Sequence, residues 1–149
     1  MSTPPVDTVR VDERAKAQLS TIKRRTGLRN WNVICRWALC TSLAEPSPPP
    51  AQDSGEMSNV EMSWNTFAGR RDDLFVALIA ARCERDGLGT DRATLAEQFR
   101  LHLQRGLSYL VGHDETKSLV GLVSLATKGP GPDLDDAAEP PPGEEPHRS

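Results

Sequence analysis

Apolar residues recur at helical spacing along most of this chain and alternate in two short stretches. From Val6 to Val11 the alternation is weak, with Val9 and Val11 on one side and Thr8 and Arg10 on the other, which predicts a short strand. So short a strand needs a pairing partner, and a second subunit is one source of it. Ala15, Leu19 and Ile22 then fall at i, i+4 and i+7, so a helix comes next, capped by Asp12 with Glu13 in its first turn. Gly27 is a left-handed stop for that helix, and Leu28 takes the place of the apolar residue after a Schellman cap. The next helix begins near Asn30 or Asn32, either of which can cap it. It carries Trp31, Val33, Ile34, Trp37, Leu39 and Leu43 around most of its circumference, which predicts a buried central helix closed by Glu45-Pro46.

Residues 46–56, PSPPPAQDSGE, are a proline-rich connector without regular structure. Val60, Met62 and Trp64 alternate again, followed by Phe67 and Gly69, so 57–69 reads as an ordered arm packed on the core. An amphipathic helix over 70–86 turns Leu74, Phe75, Leu78 and Ile79 inward and leaves Arg70, Arg71, Asp72, Asp73 and Arg82 outside. Thr90 or Asp91 caps a further helix to about Val111, with Leu95, Phe99, Leu103, Leu107 and Leu110 as its stripe, and Gly112 breaks it. A last short helix runs from Asp114 to about Ala126 with Leu119, Leu122 and Val123 inward. From Lys128 to Ser149 the chain is rich in Pro, Gly, Asp and Glu and has no large apolar residue except Leu134, the composition of a disordered acidic tail. The predicted fold is mainly α, a ribbon-helix-helix-like N-terminal part followed by a small helical bundle. One domain spans 6–126, between a disordered N-terminus, 1–5, and the tail, 127–149.

Charge changes the picture. The whole chain carries −3, but up to residue 45 eight cations face four anions, which gives +4 and leaves −7 for the remainder. A basic contact surface beside an acidic one produces this asymmetry, and it points toward nucleic acid. The cations gather at KRRTGLR: Lys23, Arg24, Arg25 and Arg29, with Lys16 and Arg36 nearby. A helix-turn-helix puts such charge beside a helix N-terminus, which suits a phosphate backbone. The bland reading, cations offsetting a helix C-terminal dipole, weighs about equally on charge alone. A strand before two helices is also the plan of ribbon-helix-helix regulators, and that plan aims Thr8 and Arg10 at the major groove of an operator. Trp37 lies among apolar neighbours and reads as core; Trp31, next to the cations, is the better candidate for stacking on a base.

Catalytic signatures are missing. Cys35, Cys40 and Cys83 have neither disulfide nor zinc spacing and read as buried apolar residues, and a sulfur carrier would need one of them exposed with a lowered pKa. His102, His113 and His147 have no partner spacing, and Tyr109 reads as core or rim packing. No metal, cofactor or enzymatic activity is expected. With no basic-then-apolar leader and no apolar run near the ~18 residues of a membrane span, the expected location is the cytoplasm.

VRVDERAKAQLSTIKRRTGLRNWNVICRWALCTSLAEP at 9–46, SNVEMSWNTFAGR at 58–70 and, later, FRLHLQRGLSYL together resemble the DndE family of the bacterial DNA phosphorothioation system. The resemblance covers about residues 6–125. Its most specific parts are KRRTGL, NWNVICRWAL and VEMSWNTFAG; the proline-rich insert and the tail look peripheral to it. It implies a helical homotetramer that binds nicked double-stranded DNA through basic surface residues. It also implies DndC and DndD as partners, DndA as sulfur source, and a modification that replaces a non-bridging phosphate oxygen by sulfur. By charge and position the DNA-binding residues would be Arg10, Lys16, Lys23, Arg24, Arg25 and Arg29.

Overall fold

In the first strand, Val9 and Val11 are buried while Thr8 and Arg10 face solvent, as their alternation requires. The computed structural model describes residues 3–112. The predicted helix at 114–126 and the tail at 127–149 lie outside the described residues, as do the first two residues. The order is β1 (Thr8–Asp12), α1 (Glu13–Thr26), α2 (Trp31–Ala44), β2 (Met57–Ser63), α3 (Trp64–Ala68), a single 3-10 turn (Gly69–Arg71), α4 (Asp72–Arg85) and α5 (Arg92–Gly112). The fold is mainly α with one small antiparallel sheet.

Strand β1 finds its partner in its own chain. It pairs antiparallel with β2, in the register Thr8↔Ser63, Val9↔Met62, Arg10↔Glu61 and Asp12↔Met57, with an irregularity between Arg10 and Asp12. No second subunit is needed for this pairing, because the connector returns the second alternating stretch alongside the first. The predicted arm at 57–69 is thus a strand followed by a short helix, whose N-cap Ser63 accepts a hydrogen bond from the Thr66 amide.

Local chemistry sets the helix ends. Asp12 Oδ1 accepts from the Ala15 amide at 2.8 Å, and Asp91 Oδ2 accepts from the Thr94 amide at 3.1 Å. Gly27 is left-handed at φ 79°, and its amide donates to the Lys23 carbonyl. The Leu28 amide donates to the Thr26 hydroxyl, so this is the simpler left-handed cap and not the Schellman form. Asn30 takes the N-cap position of α2 without a side-chain bond. Asn32 lies inside α2, and its amide group donates to the Thr66 carbonyl.

Helix α2 is the buried centre, packed on α5 where Gly106 meets the backbone of Ala38. Trp64, Phe67, Phe75 and Phe99 stack around it with centroids 5.2–5.5 Å apart. Helix α4 departs from expectation. Phe75 and Ile79 are buried as predicted, but Leu74 and Leu78 are exposed, and Arg82, expected outside, is 5% exposed. The helix is rotated so that Arg82 reaches the end of α2, where backbone carbonyls offer it more than solvent offers a leucine.

Candidate nucleic-acid interface

Helix geometry spreads the predicted basic residues around the end of α1. At about 100° per residue, Lys16 and Lys23 fall within roughly 20° of each other on one flank, Arg24 lies ~100° further round, and Arg25 falls on the opposite flank. Their contacts reflect this division. Lys16 Nζ donates to Asn59 Oδ1 of β2 at 2.9 Å, and Lys23 Nζ sits 4.3 Å from the centre of the Trp31 ring. On the other flank Arg25 donates to the Val111 carbonyl of α5 at 2.7 Å. Arg24 and Arg29 are exposed on either side of the Gly27 turn, and neither meets a carboxylate among the described residues.

The remaining cations stand apart from that turn. Arg10 donates to the Ser58 carbonyl at 3.1 Å and lies 3.9 Å from Glu61, its cross-strand partner, so its charge is partly matched. It also borders a cavity of about 470 Å³ between β1 and α5, lined by Val9, Val11, Phe99 and Leu103. Arg36, counted with the cluster from sequence, is 3% exposed and belongs to the interior. Trp31 is half-buried and covered by Lys23, whereas Trp37 and Trp64 are core. Arg24 and Arg29 therefore stand exposed beside the turn, Lys23 and Arg25 lie on opposite flanks of the end of α1, and Arg10 and Lys16 lie toward the sheet.

All three cysteines are buried. Burial pushes the thiols of Cys35 and Cys40 up to about 12 against the smaller opposing pull of Arg36, and it raises Cys83 as well, helped by Asp86. Among the described residues no three His, Cys, Asp or Glu side chains come together as metal ligands. Tyr109 sits at the rim, 5.8 Å from the Arg105 guanidinium.

A second constellation escaped the sequence. Arg82 donates to the carbonyls of Leu43, Pro46 and Ser47 and pairs with Asp86 at 3.1 Å. Arg105 donates to Ser42 Oγ, the Ser42 carbonyl and the Ser47 carbonyl, each at 2.8 Å. Two guanidiniums thus satisfy the orphan carbonyls at the end of α2 and fix the start of the proline-rich connector. His102 Nδ1 lies 2.8 Å from Ser42 Oγ; burial and then the charges of Arg82 and Arg105 bring its pKa down to about 4. Apart from the Arg82–Asp86 pair one helical turn apart, no local signal marks this group, because its other partners lie 35–63 residues away.

The molecule is thus a strand-helix-helix-strand unit built on a helical core, with Arg24 and Arg29 exposed beside the Gly27 turn and its three thiols buried. The chain belongs to the DndE family, described as DNA sulphur modification protein DndE, whose model matches residues 8–118. Membership gives it a role in DNA sulphur modification. Comparison with curated proteins gives no match. No helix among the described residues is long and apolar enough to cross a membrane.

Proposed function

We propose that this chain is the non-catalytic DNA-binding accessory subunit of the cytoplasmic phosphorothioation complex, holding nicked duplex DNA at the turn between α1 and α2. It works as a homotetramer beside DndC and DndD and leaves the sulfur chemistry to them. One observation carries the reading: Arg24 and Arg29 stand exposed, without a described carboxylate partner, on either side of a glycine turn that leads into α2. Lys23 and Arg25 add charge on the flanks. The first turn of α2 has no side-chain cap.

Buried thiols support the division of labour, since a persulfide carrier needs an accessible thiolate. Pairing of β1 within the chain counts against the alternative, a ribbon-helix-helix regulator, because such proteins read an operator through a ribbon made of one strand from each of two subunits. Arg10, the residue that would read it, is occupied by Ser58 and Glu61.

The test is Arg24→Glu with Arg29→Glu, which spares the packing contacts of Lys23 and Arg25. Affinity for nicked duplex at low salt should fall at least ~10-fold, and the slope of log affinity against log salt should shrink by about two. Circular dichroism should be unchanged. Unaltered affinity and slope would reject this surface. Among intact, nicked and single-stranded DNA of one sequence, the nicked duplex should bind tightest; a large preference for one palindrome would instead favour the regulator.

A further inference from the structure

Strand β1 has a free edge. Among the described residues β2 is its one neighbour in the sheet. The Trp64 amide donates to the Asp7 carbonyl at 3.0 Å, one step before the Thr8↔Ser63 pair, so residues 7 and 9 turn their main-chain groups toward β2. Thr8 and Arg10 turn theirs the other way, toward the cavity of about 470 Å³ that both residues line. Across it lies α5, where the small side chains of Ala93 and Ala96 leave room. The two walls are held at both ends. Arg92, at the start of α5, donates to the Pro4 carbonyl and the Asp7 carboxylate, each at 3.0 Å. Further on, Arg100 donates to Ser54 Oγ at 3.0 Å, and the neighbouring Gly55 amide donates to Asp12 at the end of β1. The groove is therefore formed before anything enters it.

We propose that an extended segment of a partner protein adds to β1 here as a third strand, with apolar side chains at two alternate positions and a carboxylate between them. Outward amides and carbonyls on a strand edge are met by another main chain in extended form, and the space beside the edge selects alternate side chains. On the added strand, side chains sharing the face of Val9 and Val11 meet Phe99 and Leu103, so they must be apolar. The side chain between them stands beside Arg10. That arginine side chain is 50% exposed and has Glu61 3.9 Å away, so a second carboxylate across the strand is favourable. The inner edge of β1 already makes this selection: Val60, Glu61 and Met62 run apolar, acidic, apolar, and Glu61 is the cross-strand partner of Arg10. A nucleic acid does not fit the groove, because the lining is mainly apolar and Arg100 is matched by Glu97.

The test adds two capped peptides, TVEVT and TVKVT, at millimolar concentration to the full chain. With TVEVT, hydrogen exchange of the Thr8 and Arg10 amides should slow at least ~10-fold, while that of Val9, bonded to β2, stays as it was. TVKVT should bind about fivefold more weakly. Two variants then block the groove in different ways. Ala96→Trp fills it from the surface of α5, and Thr8→Pro deletes an outward amide at an edge where proline is tolerated. Each should lower the affinity for TVEVT at least ~10-fold with an unchanged circular dichroism spectrum. Absence of binding overturns the proposal. So does binding that leaves the Thr8 and Arg10 amides unprotected, that releases Val9 from β2, or that ignores both variants or the charge of the peptide. Protection of those two amides in the peptide-free chain, lost on dilution, would assign the edge to a second copy and also overturn it.

Discussion

Gly106 sets how closely α2 and α5 approach. A Cβ built there would run into the backbone of Ala38, its carbonyl oxygen included. In an open helix Gly→Ala stabilises by up to about 1 kcal/mol through propensity. Here the methyl has to push the two central helices apart, and overpacking a fitted core costs about 1–3 kcal/mol. Gly106→Ala is therefore expected to lower the urea midpoint by an amount worth about 1–2 kcal/mol, with an unchanged slope. A variant as stable as the parent would mean that the helices do not meet at this residue. The stripe Leu95, Phe99, Leu103, Leu107 and Leu110 was legible in the sequence and is buried throughout. Gly106 shares its spacing, but periodicity does not say whether a stripe position meets a side chain or a backbone.

At the scale of elements, signals that act within a few residues were readable and those that act across the chain were not. Asp12, Gly27 and Asp91 mark helix ends through bonds to residues three or four positions away. The sidedness of α4 was not readable: a stripe containing both Leu74 and Phe75 fits two rotations, and the choice fell to Arg82 and carbonyls of residues 43–47. The basic turn lay between these cases. KRRTGLR announces the charge, but the helix winds Lys23 and Arg25 to opposite flanks, where each takes up a packing role. Asp12 joins both kinds of signal, since its second oxygen accepts from the Gly55 amide at 3.0 Å and so ties the far end of the connector to the start of α1. Asp12→Ala should cost more than an ordinary cap, about 2 kcal/mol against ~1, because two amides lose their acceptor. It should also speed exchange of the Gly55 amide. A loss below ~0.5 kcal/mol would show that the connector holds its place without Asp12.

At the scale of the whole molecule, α2, α4, α5 and the connector meet in a polar knot at the end of α2. Arg82 and Arg105 reach the end of α2 from two different helices, and His102 shares Ser42 with Arg105. Asp86 is paired with Arg82 in this group, and Glu45 acts on Arg105 from the end of α2. A third positive charge is unwelcome here: burial, then Arg82 and Arg105, hold His102 near a pKa of about 4 against the ordinary 6.5, with Asp86 opposing. The fold keeps the imidazole neutral, while the unfolded chain protonates it as pH falls below 6.5, so acid favours unfolding. The stabilisation is fully present above about pH 6.5 and is lost as pH falls from there toward 4. By pH 4.5 the loss from this one group is on the order of 2 kcal/mol. His102→Gln removes the titration and keeps a polar side chain beside Ser42. Between pH 7.5 and 4.5 the urea midpoint of the natural chain should therefore fall further than that of the variant, by an amount equivalent to ~2 kcal/mol. Equal falls would show that His102 takes up its proton as readily in the fold as in the unfolded chain, and would reject the buried neutral imidazole.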